Sequence, residues 1–429
     1  MEFINRFCEL DLLDEISDRG GLAVFMGRRR VGKTRLLKEW SSRNPTRRFL
    51  YTQAIESNPH IQLLQVWTDL KPMLSLDVEP KSWEDFFKII NLTDTPMTLV
   101  IDEFPFLTQS DPSLPSRFQK WIDHTIPENL SLCLLGSSQT LMQDIFLNGR
   151  APLYERAYRI VRVRPLEYKH FCKQFTFDPI DRDSFTKFSM VGGIPKYWEK
   201  VRAEWNAIEM AEELFFKDHA FFENEKFRVL KDENVDKISA VSVLDAIGRG
   251  ACKPNDISKI LQYKQTSLSK IFSTLIDTGL IAREVPFGDS YRNAKKTLYT
   301  ISDPFLAFFF NVFSPHRTRW ELYSDDDKKK LLNAHASQIF EANFRSLFPS
   351  ASRYYESSRE FDCVHYISKD RIQVSELKYR TLSTDDKKRI EKETRESFEG
   401  SKLGLKWSIK SVDVKAIGIE EGLALIAKE

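Results

Sequence analysis

Gly27-Arg28-Arg29-Arg30-Val31-Gly32-Lys33-Thr34 satisfies the pattern G-x-x-x-x-G-K-[ST] at every fixed position. These residue types suit one task, the cradling of a nucleoside triphosphate. Glycines let the backbone curl until its N–H groups converge on phosphate oxygens. Lys33 brings a cation to the β- and γ-phosphates, and Thr34 offers a hydroxyl to Mg²⁺. A second set closes the run Thr98-Leu99-Val100-Ile101-Asp102-Glu103. A buried strand that ends in two carboxylates is costly unless a cation awaits them. Asp102 then holds Mg²⁺ through water, and Glu103 polarises the attacking water. Two acids that merely meet solvent are the plain alternative, and the nearby phosphate loop weighs against it.

A third set lies near the C-terminus. Phe361–Ile367 and Arg371–Lys378 alternate as strands around the polar turn Ser368-Lys369-Asp370. With the turn centred on Lys369, Asp362 and Glu376 each stand seven residues away and face each other. Directly opposed residues have Cβ atoms about 4.5–5.5 Å apart, and like charges so placed destabilise unless a cation lies between them. Lys378 shares the strand face of Glu376. Two such carboxylates can hold Mg²⁺ or Mn²⁺, which orients water and neutralises a phosphodiester. The lysine can position that water or stabilise transition-state charge. A solvated ion cluster would use the same three residues.

The elements that must carry these sets are legible as patterns. Leu22–Met26, Arg48–Tyr51, Leu99–Ile101 and Leu132–Leu135 are short apolar runs with helical stretches between them. That pattern predicts a parallel sheet covered on both faces, an α/β domain over residues 1–165. The phosphate loop follows Leu22–Met26 and opens the amphipathic Thr34–Trp40, so the helix start aims its positive dipole end at the anion. Leu132–Leu135 runs into Gly136-Ser137-Ser138, which resembles the strand whose polar tip senses the γ-phosphate; small turn residues are the alternative. From Pro165 the pattern is helical, with a break at Gly192-Gly193-Ile194-Pro195. Helices are predicted at Lys253–Leu261 and Thr266–Thr278, with a hairpin of Leu280–Val285 and Thr297–Ile301. A helix from about residue 335, two strands, a charged helix and a last strand, Val412–Ile419, complete the chain.

Phe3-x-Asn5-Arg6-x-x-Glu9-Leu10 ahead of this loop resembles the archaeal-type P-loop ATPases of the AAA-like and STAND group. The match continues through Asp102-Glu103, Gly136-Ser137-Ser138, Leu153-Tyr154-x-Arg156, Pro165-Leu166 and Gly192-Gly193-x-Pro195. The resemblance implies that Asn5, Arg6 and Pro195 lie near the adenine and that an arginine, Arg156 or Arg150, serves nucleotide sensing. A surface arginine is the alternative for both. Family members often carry glycine where this chain has Glu155. The segment 253–301 resembles the winged helix that follows the ATPase in this family. Its second helix would present Gln265, Thr266, Ser269, Lys270 and Ser273 to a DNA major groove, with Arg292, Lys295 and Lys296 of the wing on phosphates. Packing against protein is the other use of such a domain. The Asp362–Glu376–Lys378 set resembles the PD-(D/E)xK nuclease-like fold, in which an acid on the preceding helix, here Glu341, often completes the metal site. The implied layout is an ATPase core at 1–165, a helical lid at 166–219, a winged helix-turn-helix at 220–304 and a small restriction-endonuclease-like α/β domain at 305–429.

Bulk properties exclude several classes. The chain has 429 residues, suggesting two to four domains. Lysine and arginine total 64 against 62 acids, so a basic nucleic-acid surface would have to be local. The five cysteines form no Cys-x-x-Cys pair, which argues against a disulfide framework or zinc ribbon. No signal-peptide stretch opens the chain, and Phe305–Phe310 is too short to span a bilayer. The expectation is a soluble cytoplasmic protein that binds ATP with Mg²⁺ and acts on DNA without a membrane. Its ATP state would control the nuclease-like site. The alternatives are a nucleotide switch that binds DNA or protein without cutting, and a signalling assembly that forms homo-oligomers with ATP.

Overall fold

Every apolar run noted in the first 165 residues becomes a strand. β1 is Gly21–Met26, β2 Arg48–Gln53, β3 Met97–Asp102 and β4 Leu130–Gly136; a short β5, Arg159–Arg162, joins them. All pair in parallel, in the order β2-β3-β4-β1-β5. β3 and β4 are buried along their whole length, as strands covered by helices on both faces must be. This is an α/β fold of the P-loop NTPase type. The computed structural model describes residues 3–74, 78–93, 95–233, 237–292, 296–356, 358–405 and 409–428. The chain divides into two units. One is Met1–Pro165 with Ile194–Lys196 and Lys231–Asn234; the other is Leu166–Gly193, Tyr197–Leu230 and Val235–Glu429.

Register brings the chemistry together in the first unit. Met26 pairs with Gly136 across β1 and β4, and Ile101 with Leu134 across β3 and β4. The loop after β1, Asp102-Glu103 after β3 and Ser137-Ser138 after β4 therefore emerge at one edge of the sheet. In open α/β sheets, ligands bind outside the carboxyl ends of the strands.

The second unit holds the expected helices Pro254–Leu261 and Gln265–Asp277. β6 (Ile281–Glu284) and β7 (Leu298–Ile301) form the antiparallel hairpin. Leu268, Phe272 and Leu275 are buried, while Thr266, Ser269, Lys270 and Ser273 are exposed. Arg292 and Lys296 are exposed as well; Lys295 lies outside the described residues. The apolar run Phe305–Phe310 is core. Phe305 and Phe308 pack on Phe215, and Phe305 also meets Tyr197 and Phe222 at a tilt. Among the described residues, no helix is long and apolar enough to cross a membrane.

The last sheet has the order β11-β10-β9-β8, with β8 at Ser352–Tyr355, β9 at Glu360–Ser368, β10 at Arg371–Leu377 and β11 at Ser411–Ile417. β9 and β10 are antiparallel, and β11 runs parallel to β10 after the helix Thr384–Glu399. The turn differs from expectation in detail. Ser368 pairs with Arg371, which makes a two-residue turn, and a bulge between Arg371 and Ile372 then sets Ile372 against Tyr366. A two-residue turn without a bulge would have turned every later pair by one residue and sent Glu376 to the opposite face from Asp362. The bulge restores the register, so Ser375 meets Cys363 and the next step sets Glu376 against Asp362.

Candidate functional site

The phosphate loop is built to receive an anion. Gly32 has φ 103°, where a side chain is strained, and it caps the helix Lys33–Arg43 without any side-chain acceptor. The first N–H groups of that helix are left for a ligand. A Cβ on Gly27 would meet the Val163 carbonyl oxygen at 2.4 Å. Lys33 is buried and donates to the Gly27 carbonyl at 2.7 Å and the Arg28 carbonyl at 3.3 Å. Burial pushes its ammonium below the ordinary lysine value, against the pull of Glu103 and Asp102. A desolvated cation of this kind favours an incoming anion. The residues present fit a triphosphate.

The ends of β3 and β4 are tied to the loop. Thr34 Oγ1 donates to Asp102 Oδ2 at 2.5 Å, the pair that would hold Mg²⁺ between them. Tyr51 on β2 donates to the same oxygen at 3.1 Å, and the Glu103 N–H to Asp102 Oδ1 at 2.9 Å. Burial and the Asp102 charge keep the Tyr51 hydroxyl protonated. Glu103 adopts φ 54°, a left-handed conformation uncommon outside glycine. Ser137 holds its carboxylate twice, from the hydroxyl at 2.8 Å and from N–H at 3.2 Å. Ser138 caps the helix Gln139–Phe146 by accepting from the Leu141 N–H. The two serines thus divide their work: one orients Glu103, the other starts a helix.

Arg6 is a strut. It is buried and donates to the Val31 carbonyl at 3.2 Å, the Arg164 carbonyl at 2.7 Å and Glu9 Oε1 at 2.9 Å. Asn5 and Arg6 both have positive φ, which turns the N-terminal segment under the loop. Pro195 belongs to the same unit, in the short helix Pro195–Trp198. Arg6→Ala would strand two backbone carbonyls, at about 3 kcal/mol of stability and roughly tenfold in ATP affinity. Arg6→Lys should recover only part, because a point charge cannot fork between two carbonyls. A thermal melt and a nucleotide titration check this; unchanged ATP affinity in Arg6→Ala would remove Arg6 from the site.

Arg156 donates to both carboxylate oxygens of Asp123 at 3.2 Å and to the Tyr154 carbonyl at 2.8 Å. Arg150 is exposed. Glu155 sits at φ 59°, a conformation that suits glycine better than a side chain. Two residues escaped sequence reasoning. Tyr51 could have been found only by knowing that β2 lies beside β3. Glu233 accepts from the Gln139 N–H at 2.9 Å and is 2% exposed, and no motif marks it.

In the last sheet, Asp362, Glu376 and Lys378 do come together. Lys378 Nζ stands 2.8 Å from Glu376 Oε1 and 3.9 Å from Asp362 Oδ2. The Leu377 N–H donates to Asp362 Oδ2 at 2.8 Å. Burial and then the Asp362 charge push Glu376 well above the usual carboxylate range. Burial opposes the charge on Lys378, but its bond to Glu376 and the two carboxylates outweigh it and raise its value. Glu341, on the helix Asp325–Ser346, is pushed up to about 7 by burial and then by Asp362. It faces Arg345 at 3.7 Å. The expected three-acid set is not drawn together: among the described residues, no group of three or more His, Cys, Asp or Glu stands where it could hold a metal ion. What is assembled is two acids and a lysine.

Comparisons with known proteins bear on the first part of the chain. Residues 3–201 match the family described as an ATPase domain predominantly from Archaea. An uncharacterised protein of Methanocaldococcus jannaschii is 27% identical over 422 residues, covering 94% of this chain and 92% of its own. The structure is similar to the Walker-type ATPase of Pyrococcus abyssi, with a TM-score of 0.52 and 17% identity, over 72% of this chain and 96% of that one. The match over residues 3–201 and the P-loop NTPase fold support ATPase activity.

Proposed function

We propose that this ATPase acts on DNA, and that its ATP state controls a winged helix-turn-helix and a metal-dependent nuclease-like domain. The observation that carries the proposal is the convergence of Asp362, Glu376 and Lys378 on one strand end. Two half-buried carboxylates side by side are unfavourable without a cation. A divalent ion, Mg²⁺ or Mn²⁺, would satisfy them and supply charge neutralisation at a phosphodiester. The Lys378 ammonium would then be freed for the reacting phosphate. In the first site, Thr34 and Asp102 would hold Mg²⁺ together with ATP, Glu103 would act as the base, and Asn5, Arg6 and Pro195 would lie on the adenine side. In the domain scheme, 1–165 is the motor, 166–219 its lid, 220–304 the DNA-binding part and 305–429 the nuclease-like part. Labelled single- and double-stranded DNA and RNA, incubated with Mg²⁺ or Mn²⁺ and with or without ATP, test the proposal. Cleavage that depends on both metal and Asp362 is expected; no cleavage of any substrate would refute it.

A second reading is a nucleotide-dependent switch that binds DNA or protein and does not cut. The observation behind it is that the charges are already balanced internally, Lys378 on Glu376 and Arg345 on Glu341. DNA binding itself is checked on the exposed Lys270 and Lys296. If they contact phosphates, replacing both with alanine should weaken binding equally on all sequences. The slope of log affinity against log salt should fall by about one for each lysine. An unchanged slope assigns this helix and hairpin to protein packing.

A further inference from the structure

Glu233 is a buried acid beside the tip of β4 that the hydrolysis scheme does not use. It lies in the short stretch Lys231–Asn234, which groups with the ATPase unit although the residues on both sides of it do not. Its carboxylate accepts from the N–H of Gln139 at 2.9 Å, the residue directly after Ser137-Ser138 at the tip of β4. Arg28 and Lys33 of the phosphate loop are both near enough to act on its charge. Burial nonetheless pushes Glu233 up to about 7, with the Gln139 N–H, Arg28 and Lys33 pulling the other way. A carboxylate at 2% exposure is thus kept in place by the Gln139 N–H, with the cations of the phosphate loop acting on its charge.

We infer that Glu233 is an internal stand-in for the γ-phosphate, which makes it a residue that discriminates ATP from ADP. ADP leaves the tip of β4 and the far side of the loop to Glu233. ATP brings a γ-phosphate, with about two negative charges, towards the same cations. Two anions competing for one set of cations repel, so ATP binding and docking of the 231–233 stretch oppose each other. Coupling of this kind is reciprocal: whatever ATP loses in affinity through Glu233, the docked stretch loses through ATP. The helix Lys237–Gly248 follows the stretch in sequence, so release of the stretch gives the nucleotide state a covalent route into the following helices. The inference rests on the ATP-binding reading of the loop and supplies the missing link in ATP control.

The test uses the full chain, with ATPγS and ADP as ligands, comparing wild type and Glu233→Gln. Glutamine keeps the shape and the acceptor for Gln139 and removes only the charge, so the fold is not at stake. At pH 8, where most of Glu233 is charged, Glu233→Gln should tighten ATPγS by about tenfold and leave ADP within about twofold. In the wild type, hydrogen exchange in peptides covering residues 226–233 should be slow in the apo and ADP states and fast with ATPγS. An unchanged ATPγS-to-ADP affinity ratio, or equal protection in all states, would overturn the inference and leave the ATP site intact. A wild type that binds neither nucleotide would sink the loop reading and the inference together.

Discussion

Lys33→Ala is expected to abolish measurable ATP binding, whereas Glu103→Gln should bind ATP as the wild type does and lose turnover. The two residues stand close together but are held differently. Lys33 is buried, and its ammonium is held by the carbonyls of Gly27 and Arg28. The loop has therefore already met the cost of desolvating this charge in the folded state. Alanine leaves those carbonyls and the incoming phosphates without their central cation. Truncating one partner of a buried, hydrogen-bonded charge pair costs about 2–5 kcal/mol, so affinity should fall by roughly a hundredfold or more. Glu103 is tied to the end of β4 instead. Two bonds from Ser137 aim its carboxylate. Glutamine preserves the shape and loses only the basic oxygen, so hydrolysis should drop by about 10²–10⁴. Nucleotide titration and phosphate release measure the two effects separately. If Glu103→Gln lost binding in step with Lys33→Ala, Glu103 could not be the base.

The nucleotide site was legible because its chemistry is local in sequence. A strand, a glycine loop and a helix start must be contiguous to cradle phosphate, so Gly27 to Thr34 can be read in one pass. Asp102-Glu103 and Ser137-Ser138 were legible as strand ends, since parallel strands deliver their carboxyl ends to one edge. Tyr51 was not, because its contact with Asp102 depends on sheet order, which no single run encodes. Glu233 was not, because a stretch far along the chain returns to the first unit without a motif. Arg156 illustrates another limit. Its position in a family pattern suggested a phosphate, but a neighbouring helix supplies Asp123, and the guanidinium is engaged there. β8 was also missed: Ser352–Tyr355 is four residues long and shifts register against β9, too short for alternation to show. The Asp362–Glu376 pairing came out right although the turn was drawn too simply. The bulge at Arg371/Ile372 compensates for the tighter turn, and a period of two is insensitive to how that compensation arises.

In the last sheet, a divalent metal should raise the melting temperature of the wild type and not that of Asp362→Asn. Asparagine is the better replacement than alanine, because it can keep an acceptor for the Leu377 N–H. Without metal, the pair is a liability whose sign can be worked out. Glu376 binds its proton more tightly folded than unfolded, so between about pH 4.5 and 7 the folded state carries more protons. Stability from this group is therefore present at low pH and is lost as pH rises through the folded value. Asp362→Asn removes the neighbouring charge, so it should flatten that fall and leave the metal-free protein slightly more stable than wild type at pH 8. Metal reverses the comparison at the same pH. Both carboxylates are then wanted in their charged form, and an ion at 100 times its dissociation constant adds about 2.7 kcal/mol to the wild type alone. Lys378→Ala should keep the metal shift, since the lysine repels the ion and acts only on the reaction, and should lose any cleavage. The measurement is a set of melts of the three proteins at pH 5.5 and 8, with and without Mn²⁺. A shift of equal size in wild type and Asp362→Asn would place the ion elsewhere. The lysine and two acids would then be an internally neutralised cluster, and the switch without a nuclease would stand in place of the first reading.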